Sequence, residues 1–114
     1  MKVIALVLAL LLPGIAAQAE EVRHASIVGV IDAQLEAFRR DDGSASFSFA
    51  TRDIQAMFGT PADFLKMVAE AYQAVYRPRE VTYADLIQEN DRLVQRVLFT
   101  KPDEKQVLAF YMMA

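Results

Sequence analysis

The chain reads as an α+β protein, with helices first and antiparallel strands after them. Two observations carry this reading. Apolar residues recur at spacings of four, four and three through Ile27, Ile31, Leu35 and Phe38, which is the stripe of an amphipathic helix. Past Pro78 the period changes to two, the period of strands, and it persists to Met113. A third observation sets the chain's start apart. Lys2 precedes an unbroken apolar run from Val3 to Leu12, broken by Pro13 and Gly14.

That start has the order of a secretory leader. Ala17-Gln18-Ala19 offers small residues where a signal peptidase reads, so cleavage is expected between Ala19 and Glu20. A membrane-spanning helix needs about 20 apolar residues, and Pro13-Gly14 interrupts this run too early. The organisation is therefore a signal peptide over residues 1–19 and one domain over residues 20–114, placed in the periplasm or secreted. The only membrane contact expected is through the leader before cleavage. The formal net charge is −3 and no basic stripe is present, which argues against a nucleic-acid partner. The chain has no cysteine, so disulfides, thiol redox chemistry and zinc-thiolate sites are excluded. Stability then rests on packing.

The first helix spans about Val22 to Arg40, its apolar stripe backed by Asp32, Glu36, Arg39 and Arg40. Asp41-Asp42-Gly43 ends it as a turn. Ser44 to Ala50 fits a short helix or an extended link. Thr51 is an N-cap, with Ile54, Met57 and Phe58 as buried positions and Gly59 as the stop. Thr60-Pro61-Ala62-Asp63 opens the next helix, whose apolar face is Phe64, Met67, Val68, Ala71 and Tyr72. Val81, Tyr83 and Asp85 share one face of a first strand, and Gln88 to Asp91 is turn-like. Leu93–Thr100 and Gln106–Met113 are strands joined by a charged turn at residues 101–105. Both faces of these strands are largely apolar, so both are expected to be covered, one by the helices and one by a partner, a ligand or further chain.

Several pieces together resemble a known family. They are Ile54-Gln55 with Phe58-Gly59, then Pro61, Phe64, Met67 and Val68, and Val75-Tyr76-Arg77-Pro78-Arg79. Arg92 to Leu98 and Leu108 to Met112 follow, with Gln34, Ala37 and Phe38 on the first helix. In order and spacing they resemble an uncharacterised family of exported bacterial proteins, domain of unknown function 4864. The resemblance implies a cone-like fold similar to nuclear transport factor 2 and ketosteroid isomerase, with helices in the concave side of a curved antiparallel sheet. It implies no activity. Similar members continue into a last strand with a Trp, so the resemblance also implies a C-terminal truncation here.

Candidate sites are few. His24 is the single histidine, on the apolar side of the first helix, and neither a metal ligand set nor a nucleophile–base arrangement surrounds it. Met112-Met113 reads as buried strand. No catalytic residue, metal or cofactor is assigned. Tyr72, Tyr76, Arg77 and Arg79 form the densest aromatic and basic stretch, open to two readings. They rim a pocket for an anionic ligand, or the tyrosines close the core while the arginines flank Pro78. Asp85, on the same strand face as Val81 and Tyr83, is open to two readings: inside a cone, burial would raise its pKa towards general-base use with Tyr83 or Tyr111 as donor, or it is an edge-strand acid facing water. Tyr76, Arg77, Tyr83 and Asp85 are thus the candidate binding residues. The function expected first is a non-enzymatic module that binds a small apolar or anionic molecule. An isomerase or lyase using the cone, and a structural homodimer, are the alternatives.

Overall fold

A computed structural model describes residues 3–10 and 20–113. The elements in order are β1 (Val3–Leu10), α1 (Glu20–Arg39), α2 (Gly43–Ser48), α3 (Arg52–Phe58), α4 (Pro61–Ala71) and α5 (Gln73–Tyr76). Then come β2 (Glu80–Glu89), β3 (Arg92–Thr100) and β4 (Gln106–Met113). The architecture is α+β, with one four-stranded sheet in the order β1-β4-β3-β2. The sheet is mixed: β2, β3 and β4 form the expected antiparallel meander, and β1 joins β4 in parallel. Residues 3–10 of the apolar run read as a leader thus form an edge strand; the rest of the run and the Ala17-Gln18-Ala19 pattern lie outside the described residues.

The stripe on α1 is buried as its spacing requires, with Ile27, Ile31, Leu35 and Phe38 inside, and Val30, Gln34 and Ala37 joining them. Gln34 is a polar residue in this stripe, and its amide donates to the Ser46 carbonyl at 3.1 Å, tying α1 to α2. The end of α1 is locked by backbone hydrogen bonds from Asp41 to Phe38 and from Asp42 to Ala37. This is the Schellman pattern, and Asp41 takes the left-handed φ of 55° it requires. Asp42 then caps α2 through Ala45. Ser44 belongs to that short helix.

Thr51 caps α3 and Thr60 caps α4, with Pro61 in the first turn. Phe64 of α4 packs within 6.0 Å of the rings of Phe38, Phe47 and Phe58. Two expected apolar positions are corrected here. Met57 is 73% exposed, and Ala71 is exposed as well. Ile54 and Phe58 already fill the buried side of α3, which has only seven residues. Ala71 lies on the same side of α4 as Phe64 and Val68 but is its last residue, where the helix leaves the core.

The core joins the helices to one face of the sheet through Val97, Phe99, Val107, Ala109 and Tyr111. The opposite, outer face carries Leu98, Leu108, Phe110 and Met112, all half-buried, and Val94, which is buried. The strand β2 runs through Gln88 and Glu89, beyond the expected turn, and only Asn90-Asp91 connects it to β3. Asn90 has a positive φ of 56°, which Asn accommodates well.

Candidate functional site

The functional positions are set by an irregularity in β2. Tyr83 pairs with Val97, but Leu86 pairs with Gln95, so two residues of β2 stand opposite Arg96. This is a β-bulge. Leu86 takes the inward position that strict alternation gives to Asp85. Asp85 instead faces out and pairs with Arg96, whose Nε donates to its carboxylate at 2.8 Å. The expectation that Asp85 and Tyr83 share an inner face is therefore overturned, and the bulge is the reason. The Arg96 hydrogen bond also holds the Asp85 carboxyl below the usual carboxylate range, the reverse of the shift a general base needs.

Tyr83 does face inward. Its hydroxyl donates to Asp32 of α1, and burial first, then that carboxylate, pushes its pKa far up. Tyr111 is completely buried against Phe99, and its hydroxyl has no partner among the described residues. Its pKa is pushed up by burial, so it stays a neutral phenol. Gln95 lies opposite Tyr111 in the β3–β4 register, with its Nε donating to carbonyls of Ala84 and Arg96 at 2.9 Å. His24 is half-buried near the start of α1. Among the described residues, no three of His, Cys, Asp and Glu gather as a metal would require.

Tyr76 and Arg77 meet at the end of α5. The guanidinium of Arg77 lies 4.0 Å over the Tyr76 ring. One terminal nitrogen donates to the carbonyls of Phe38 at 2.8 Å and Tyr76 at 2.9 Å. The other donates to both Asp41 oxygens, at 3.1 and 3.2 Å. The Tyr76 hydroxyl also donates to Asp41. That hydrogen bond, and then Arg77, lowers the Asp41 pKa, while Tyr76 is raised by the same bond. Arg77 is thus a second donor, beside the Asp41 N–H, to a carbonyl at the end of α1, and it clamps α5 to that end. Of the two readings of this stretch, Arg77 fits the structural one, because both terminal nitrogens are engaged within the fold.

The clamp forms one wall of a groove of about 680 Å³ between the second half of α1 and the start of β2. Leu35, Pro78 and Val81 supply apolar surface. Arg39 and Arg79 supply charge, and both are exposed. Arg39 pairs with Glu36 at 3.1 Å, and Arg79 with Glu104 at 3.0 Å. Asp32, Glu36, Tyr76 and Arg77 complete the lining. The structure thus brings together Tyr76 and Arg77, ties Tyr83 to Asp32 of the same groove's lining, and separates Asp85 onto the other face. Sequence reasoning missed Arg39, which it read as part of a solvated helix face. Its position four residues after Leu35, at the last residue of α1, was the available signal.

The fold defines a small α+β domain with a groove between α1 and β2. The chain belongs to the family described as domain of unknown function 4864, whose model matches residues 20–114. No curated protein matches the chain, and no solved structure matches it.

Proposed function

We propose that the domain is an exported, non-enzymatic module that binds a small amphiphilic anion in the groove between α1 and β2. The observation that carries this is that two exposed arginines, Arg39 and Arg79, line the same groove as Leu35, Pro78 and Val81. A ligand with a carboxylate or phosphate head exchanges the exposed carboxylate partners of these arginines for its own oxygens. Its apolar body rests on Leu35, Pro78 and Val81. Tyr76 and Arg77 hold the wall in place, so the groove is formed before the ligand arrives.

The leader features support periplasmic or secreted placement, with cleavage before Glu20. The inward helices and the bulge that bends β2 support a cone related to nuclear transport factor 2. An isomerase or lyase draws no support from Asp85, which Arg96 holds ionised on the outer face. A homodimer is the second reading, favoured by the half-buried Leu98, Leu108, Phe110 and Met112 on the outer face.

The test is an amide NMR titration of the exported protein with octanoate. Saturable shifts confined to Leu35, Arg39, Tyr76, Arg79 and Val81 are expected. Shifts confined to the outer face, or none, contradict the groove assignment. Intact mass of the exported protein tests the cleavage point, and a mass retaining residues 3–10 contradicts it.

A further inference from the structure

Strand β1 pairs in parallel along the whole of β4, in register from Val3 with Gln106 to Leu10 with Met113. It is tied to the body of the domain at one end. Leu10 is 1% exposed and belongs to the main core, and it bridges to Ala50. The Thr51 N–H donates to the Ala9 carbonyl at 3.4 Å. The same eight residues, Val-Ile-Ala-Leu-Val-Leu-Ala-Leu, carry no charge and lie within the leader's apolar run. These two uses exclude each other. Cleavage before Glu20 removes β1, leaves backbone donors and acceptors of β4 unpaired along one edge, and vacates the place of Leu10.

We infer that the outer edge of β4 is a strand-acceptor site, which in the exported protein takes an extended apolar peptide segment of a partner protein. This rests on the leader reading given above. The occupant's chemistry follows from what the edge holds in the structure. It is an uncharged segment of about eight residues, the length of the pairing strand, running parallel to β4. It ends in a leucine-sized aliphatic residue opposite Met113, where Leu10 is buried. Backbone pairing supplies much of the affinity, and the buried last residue fixes the register, since a slip by one position would take that residue out of the core. The site is separate from the α1–β2 groove, because β4 and β2 lie at different places in the sheet order, with β3 between them.

The experiment uses the exported protein and a synthetic peptide of residues 3–10 carrying added N-terminal lysines for solubility. Intact mass is read first. Amide hydrogen exchange of residues 106–113 is then followed with and without peptide. Saturating peptide is expected to slow exchange in this segment by about tenfold or more. The same peptide with Leu10→Asp is expected to give no protection. Equal protection of β4 without peptide, or equal protection by the Leu10→Asp peptide, overturns the acceptor site. A mass that retains residues 3–10 overturns the leader reading instead, so the two failures are told apart.

Discussion

Two arginine–aspartate pairs in this domain are alike in chemistry and differ in surroundings. Arg77 and Asp41 join α5 to the end of α1, over the ring of Tyr76 and beside a groove. Arg96 and Asp85 join β3 to the bulge of β2 on the outer face, where Leu98 and Phe110 are the neighbouring apolar positions. Both pairs lower the pKa of their acid. The first pair fixes a helix end and so gives a concave surface its wall. The second lies on the outer sheet face and fixes the direction of one bulged residue. An ion pair acquires functional meaning from the elements it holds together, and its own strength says little, since exposed pairs contribute roughly 0–1 kcal/mol.

The comparison is broken most severely by removing what lies beneath each pair. Phe38, whose carbonyl accepts from Arg77, is buried and packs its ring near Phe64. Phe38→Ala is expected to cost about 3–5 kcal/mol in chemical denaturation. Phe110→Ala, on the outer face beside Arg96, is expected to cost less, roughly 1–2 kcal/mol, because part of the ring is already in water and its removal leaves no closed cavity. Equal costs would mean that the outer face is as well packed as the inner one.

Removing the arginines gives a smaller contrast. Arg77→Ala removes one of two donors to the Phe38 carbonyl and one of two partners of the Asp41 carboxylate, and is expected to lower stability by roughly 1 kcal/mol. Arg96→Ala is expected to cost under about 1 kcal/mol. A larger loss for Arg96→Ala would invert the account of the two pairs.

The smallest effect concerns acid. Both carboxyls are held below their ordinary value, so the stability each contributes is full above about pH 4 and is lost as pH falls through its lowered folded value. Asp41→Asn and Asp85→Asn are each expected to flatten the fall of stability with pH below about pH 4. An unchanged slope in both variants would show that neither pair persists in solution.

Much of the fold was legible in the sequence because it is written locally. The α1 stripe, the Thr51 and Thr60 caps, Pro61, Gly59 and the two last strands depend on near neighbours. The site was legible only in part. The density of Tyr76 and Arg77 marked the right place, but their partners lie at Phe38 and Asp41, and contacts at that separation leave no period to read. The Asp85 face was misread because one extra residue in β2 reverses the alternation, and no glycine marks the bulge. The seating of residues 3–10 on β4 was hidden because an apolar leader and an apolar strand have the same composition.

In the proposed function Arg39 and Arg79 receive an anion in the α1–β2 groove. Calorimetric titration of octanoate into the exported protein and into three variants tests it most directly. Saturable one-to-one binding is predicted for the unaltered protein and for Arg96→Ala. Arg39→Ala and Arg79→Ala are each predicted to weaken it by about tenfold or more, the loss of one charge-assisted hydrogen bond. Binding that survives both groove variants, or that falls with Arg96→Ala instead, contradicts the claim.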